Sequence, residues 1–105
     1  MRPEPGEIWL ADLGIAAKVR PVVIVSRHDD NPPRDLVIFV PCTSQSRPSS
    51  YEVALSPKAG LDRETWANVQ GIGAIPTPRL IRRLGKLPLE NWDSLRQALR
   101  FALNL

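Results

Sequence analysis

Arg20-Pro21-Val22-Val23-Ile24-Val25-Ser26 is followed, after one polar stretch, by Leu36-Val37-Ile38-Phe39-Val40-Pro41-Cys42-Thr43-Ser44. Each segment is a short run of β-branched and aromatic residues bounded by proline, which reads as a strand buried on both faces rather than a helix. The first run places a fixed cation, Arg20, at the mouth of a rigid element. The second ends in two hydroxyls, Thr43 and Ser44. A planar guanidinium and two neutral donors form a suitable set for holding a phosphate. Taken alone, Arg20 reads first as a solvated charge at a strand end, and Thr43-Ser44 also fits an ordinary turn.

Outward from this pair the pattern stays mostly β. Gly6 to Leu13 alternates and is expected to be the first strand, with a loop from Gly14 to Val19. Arg27 to Arg34 is an exposed, turn-rich connection, and Ser44 to Ser50 a polar one. Tyr51 to Leu55 alternates again. Leu61 to Trp66 suggests one helical turn capped by Asp62. Val69-Gln70-Gly71-Ile72 reads as a strand with a bulge or close approach at Gly71 or Gly73, and Arg79 to Leu84 as a further short strand. Only the C-terminus changes period. Leu89, Trp92, Leu95, Leu99, Ala102 and Leu103 share helical spacing behind Pro88, and Asp93 and Arg96 sit three apart on the other face. Eleven prolines fall between the apolar runs and exclude an all-helical fold. The expected fold is mainly β (a β-rich α+β chain): a small barrel or strongly curved antiparallel sheet closed by a C-terminal amphipathic helix.

The 105 residues suffice for one domain, 1–105, with 43% of them apolar, enough for a single modest core. Fourteen basic against eleven acidic residues give a net charge of +3, compatible with a polyanionic partner. The lone cysteine, Cys42, rules out an internal disulfide, and no stretch reads as a signal peptide or membrane helix, so a cytoplasmic protein is expected. Cys42 follows a buried strand and reads as a small core residue. A nucleophilic role would need His28, the one histidine, which lies in a polar loop. No His/Cys spacing suits a metal, and no cofactor motif is present. Arg79, Arg82 and Arg83 make a basic cluster, either a solvated face or an electrostatic guide. Trp9 and Trp66 are expected in the core, and Tyr51 either packs in its strand or stacks on a base.

Gly6-Glu7-Ile8-Trp9-Leu10, Asp12-Leu13-Gly14, Arg20 to Ser26, Val40 to Ser44, Gln70, Arg79-Leu80 and Gly85-Lys86-Leu87 occur in an order that resembles the MazF/PemK toxin family, over residues 6 to 103. That resemblance implies an SH3-like barrel with a C-terminal helix, usually a homodimer. It implies metal-free endonucleolytic cleavage of single-stranded RNA, and a cognate antitoxin that threads a segment over the RNA-binding surface. It implies that Arg20 is the catalytic arginine, with Thr43 the hydroxyl residue supporting it and Ser44 beside it. Lys18, Gln70 and Arg79 join Ser44 as candidate substrate contacts.

Metal-free cleavage needs attack by the ribose 2′-hydroxyl, a proton acceptor, charge stabilisation on the phosphoryl oxygens and a proton for the departing 5′ oxygen. Arg20 suits the charge; the resemblance implies an acid–base role for it as well, but a guanidinium holds its proton tightly at neutral pH and is a poor base, so the residue chemistry alone supports only the clamp. Two departures from the family pattern bear on this. Val69 stands where relatives often carry an acidic residue just before the glutamine, leaving Glu52, Asp62 and Glu64 as alternatives for the base. The loop before Arg20 is short, with Lys18 its single charge. Two rival functions share the fold: a non-catalytic RNA- or protein-binding module, and a gyrase-poison-like inhibitor. The gyrase poisons typically end in Trp-Gly-Ile, whereas this chain ends Leu103-Asn104-Leu105.

Overall fold

The computed structural model describes residues 2–16 and 18–105. Seven strands and one helix follow the order β1 (Glu7–Asp12), β2 (Val19–Ile24), β3 (Leu36–Thr43), β4 (Glu52–Ala54), β5 (Trp66–Asn68), β6 (Gly73–Pro76), β7 (Leu80–Lys86) and α1 (Leu89–Leu103). Short 3₁₀ turns occupy Pro57–Ala59, Val69–Gly71 and Thr77–Arg79. The class is mainly β with a C-terminal helix, as expected. The sheet runs β4-β5-β3-β2-β1-β7, with β6 also on β3, and every pairing is antiparallel. It is an open, curved path: β4 and β7 remain edges and do not pair with each other.

The sheet buries apolar side chains on both faces, because its central strands β2 and β3 carry continuous rather than alternating apolar runs. Ile8, Val23, Val40, Cys42, Val69 and Leu95 form one core beneath α1. Trp9, Ala11, Val22, Ile24, Val37, Phe39 and Ile75 form a second on the other face. Trp9 is buried as expected, whereas Trp66 is only half-buried. Trp66 opens β5, a strand of three residues, and lines a surface cavity with Ser46, Pro48 and Glu52 rather than packing into either core.

Several local expectations are corrected. Both central strands are longer than their apolar runs. β2 starts at Val19, so Arg20 lies inside the strand rather than in front of it, opposite Ala11 of β1. β3 runs on to Thr43. Val69–Gly71 is a 3₁₀ turn, not a strand: the Asn68 side chain accepts a hydrogen bond from Gln70 N at 3.1 Å, and the chain reverses between β5 and β6. Leu61 to Trp66 contains no helical turn. The helical turn of this region lies earlier, at Pro57–Ala59, where Ser56 Oγ accepts from Lys58 N at 3.1 Å as its cap.

Helix α1 has the expected bounds, and Trp92, Leu95, Leu99 and Ala102 of the expected stripe pack on the core, but the stripe is shifted at its edges. Asn91, Leu95 and Ala98 face inward, while Leu89 and Leu103 stay exposed. Asn91 sets this rotation. Its Oδ1 accepts from Ser56 N at 2.8 Å and its Nδ2 donates to Ala54 O at 3.2 Å, so the helix turns a satisfied amide toward the end of β4. Asp93 and Arg96 pair at 3.5 Å, and the Arg96 guanidinium lies 4.6 Å from the Trp92 ring centroid. Tyr51 packs edge-on against Phe101, with ring centroids 5.1 Å apart, and is a packing residue.

The N-terminal segment is tied down by charge. Arg2 pairs with Asp35, whose carboxylate also accepts from Thr77 Oγ1 at 2.7 Å. His28 bridges Glu4 (Nδ1 to Oε2, 2.7 Å) and Asp30 (Nε2 to Oδ1, 2.8 Å). The Asp30 hydrogen bond, against some desolvation and with the help of Glu4, raises the His28 pKa above its ordinary value. A raised folded-state pKa favours the fold fully below the ordinary imidazole range. That contribution is lost as pH climbs through the raised value. His28→Gln should therefore melt slightly below the parent at a pH of about 5.5 and together with it at about 9. Thermal denaturation across that range checks this, and a gap that widens with pH would refute the tether.

Candidate active site

The decisive geometry comes from two prolines. The β2–β3 ladder runs Ile24↔Phe39, Val23↔Val40, Val22↔Pro41 and stops there. Pro21 and Pro41 have no N–H to extend it. Beyond that point β2 is held by β1, down to Asp12↔Val19, while β3 is held on its other edge by β5, through Cys42↔Ala67 and Thr43↔Trp66. Two strands retained by different neighbours part company, and continuing their register sets Arg20 level with Thr43 across the gap.

A groove of about 540 Å³ fills that gap. Lys18, Val19, Arg20 and Pro21 line one side, Cys42, Thr43, Ser44 and Gln45 the other, and Leu61, Asp62, Arg63 and Thr65 its end. Thr43 Oγ1 accepts from Gln45 N at 3.1 Å and donates weakly to Gln45 O at 3.3 Å. The hydroxyl thus shapes the turn after β3 and holds a proton it can redirect. Arg20 is half-buried, and its charge is felt by Cys42. Burial nevertheless pushes the Cys42 thiol up to about 12, with Arg20 opposing only in part. A neutral, inert thiol in the core is the result. His28 is committed to Glu4 and Asp30 and is absent from the groove lining.

Arg20 also lines a second, more apolar groove of about 350 Å³, with Leu13, Phe39, Pro41, Gly71, Gly73, Ala74 and Ile75. Gly71 is required there, because a Cβ would sit 2.6 Å from Pro41 Cγ. Gln70 and Arg79 belong to this side. Gln70 is exposed next to Gly71, and Arg79 Nη1 reaches Asp12 O at 3.5 Å, beside Leu13. Of the six candidate residues, Arg20, Thr43, Ser44 and Lys18 therefore meet in the first groove, while Gln70 and Arg79 flank the second. Within the basic cluster Arg83 is spoken for: its Nε lies 3.0 Å from Glu7 Oε2. A comparably large cavity between β4 and α1, about 570 Å³, has Glu52 but no basic residue in its lining and does not suit an anion.

Of the three carboxylates the sequence leaves open as a base, the structure brings Asp62 to the groove's end, whereas Arg63 beside it carries no signal of its own in the sequence. Among the described residues no group of three or more His, Cys, Asp or Glu side chains is placed to hold a metal ion, and no helix is long and apolar enough to cross a membrane.

The model of the PemK-like, MazF-like toxins of type II toxin–antitoxin systems matches residues 4–103. The chain belongs to this family. The MazF9 endoribonuclease of Mycobacterium tuberculosis is 32% identical over 112 residues, covering 95% of each chain. A mycobacterial endoribonuclease solved in complex with its cognate antitoxin superposes with a TM-score of 0.87 at 27% identity, over 98% of this chain and 96% of that one. The Mycobacterium tuberculosis toxin MazF-mt6 superposes at 0.83 with 28% identity, over 94% and 97%. Both superpositions show that these toxins share the overall fold described above.

Proposed function

We propose that this family member cleaves single-stranded RNA at the Arg20–Thr43 groove by attack of a ribose 2′-hydroxyl on the adjacent phosphorus, without a metal. The observation that carries this is the convergence of Arg20, Thr43 and Ser44 on one groove where β2 and β3 separate. The guanidinium fork can hold two nonbridging oxygens of the scissile phosphate, and the pairing of Arg20 with Ala11 of β1 fixes its backbone before substrate arrives. Thr43 turns its proton from Gln45 O to the phosphoryl oxygen on which charge develops, and Ser44 adds a second donor. Lys18 holds a flanking phosphate at the rim. The RNA chain crosses Arg20 from this groove into the second one, where Gln70 and Arg79 contact it.

The family match and the antitoxin-bound relative support a cognate antitoxin as the physiological partner, competing for the same basic groove. The working form is a homodimer, and the cytoplasm is where such an RNA substrate is met.

Purified protein incubated with a long RNA in excess chelator should give discrete cuts ending in 2′,3′-cyclic phosphate. RNA that is bound but uncut would instead identify a non-catalytic binding module, and the cleavage reading would be withdrawn.

A further inference from the structure

The groove holds a clamp but still needs a base. Val69, just before Gln70, is 1% exposed in the core beneath α1, so that position offers nothing to the groove. The nearby carboxylates are committed elsewhere. Glu52 accepts from Ser46 Oγ at 3.1 Å and Arg47 N at 2.9 Å. Glu64 lines a neighbouring cavity, not this one. Asp12 accepts from Gly14 N at 2.9 Å. Among the described residues lining the Arg20–Thr43 groove, Asp62 is the one carboxylate.

Its position is fixed from both ends. Gly60, with φ at +90°, packs against β7, where a Cβ would lie 3.1 Å from Leu84 O. Leu61 packs against the core. Thr65 is buried, its Oγ1 donating to Arg63 O at 3.0 Å and its carbonyl accepting from Leu55 N at 2.9 Å. Between these anchors the Asp62 side chain is 97% exposed, paired only loosely with Arg63 at 4.0 Å. Such an exposed pair is weak and leaves the carboxylate available to a substrate.

Resting on the RNA-cleaving reading above, we propose that Asp62 is the proton acceptor for the attacking 2′-hydroxyl. Its carboxylate takes the hydroxyl proton as the 2′ oxygen bonds to phosphorus. The bond from phosphorus to the 5′ oxygen breaks, and that oxygen takes a proton from a solvent water. The hydroxide left behind is neutralised by the proton Asp62 releases, which restores the carboxylate. The charged groups facing Asp62 across the groove are Lys18 and Arg20 from β2 and its approach, with Arg63 beside it. All three are cations, so phosphate and carboxylate share a positively charged groove rather than repel within it.

Asp62→Asn keeps the size of an exposed side chain and should fold normally. Single-turnover cleavage of a long RNA should slow about 10²- to 10⁴-fold. Affinity for a single-stranded oligonucleotide lacking 2′-hydroxyls should hold or tighten, and the acid limb of the pH–rate profile should disappear. Asp62→Glu should recover part of the rate, and Glu64→Gln should cut as the parent does. Parent-like cleavage by Asp62→Asn, or a loss of affinity that accounts for its slower rate, overturns the assignment. If Arg20→Ala is inactive while Asp62→Asn is not, the nuclease reading stands and only Asp62 falls. If the parent leaves every RNA intact, both fall.

Discussion

Arg20→Ala will leave a folded protein whose RNA cleavage has fallen by at least about 10³-fold, the upper end of what one preorganised donor to a developing oxyanion is worth. The size follows from the fork: two charge-assisted bonds to phosphoryl oxygens vanish together. The fold survives because the buried part of β2 is Val22, Val23 and Ile24, each 0% exposed, and none is touched. Arg20→Lys separates charge from geometry. A lysine keeps the positive charge but offers a point rather than a plane, so it should retain RNA affinity better than cleavage. Cleavage assays, paired with circular-dichroism melts of all three proteins, read both effects. Parent-like cleavage by the alanine variant would remove Arg20 from the chemistry.

Gly85→Ala is expected to have the largest effect on stability. A Cβ at Gly85 would lie 2.1 Å from Ala59 O and 3.1 Å from Ala59 C. Both are backbone atoms of a fully buried residue, so no side-chain rotation relieves the clash. Overpacking of this kind costs about 1–3 kcal/mol, and a backbone obstacle puts it at the top of that range. For a chain of this size the melting temperature should drop by more than about 10 °C. The displaced residues, Ala59 and Gly60, root the segment that carries Asp62, so cleavage at a temperature where the variant is folded should fall as well. An unchanged melting temperature would show that β7 and the 57–59 turn have slack that the contact distances deny.

Strand content, the helix bounds and the pairing of Arg20 with Thr43-Ser44 were legible in the sequence because each rests on a local signal. Apolar runs between prolines mark strands, helical spacing marks α1, and the ordered blocks from Gly6 to Leu87 carry the family resemblance. Local signals failed where two elements compete for one segment. Val69-Gln70-Gly71 is apolar enough for a strand, but the Asn68 side chain bonds to Gln70 N and Gly71 presses on Pro41, which together make a turn. The helix stripe was misjudged at Leu89 and Leu103 because a polar residue, Asn91, holds the buried position. Its two partners lie 35 and 37 residues away in sequence, beyond any periodicity.

The sequence by itself determined the central strands and the C-terminal helix, the inert core character of Cys42, and which cation and hydroxyls could hold a phosphate, since those depend on residue type and near neighbours. Only the tertiary structure decided that Arg20 stands between two grooves, that Gln70 and Arg79 flank the second, and that Asp62 rather than Glu52 or Glu64 shares the first. These are consequences of long-range register. Two prolines end one ladder, β1 and β5 draw the strands apart, and what faces the opening is set by residues as far apart in the chain as Arg20, Thr43 and Asp62.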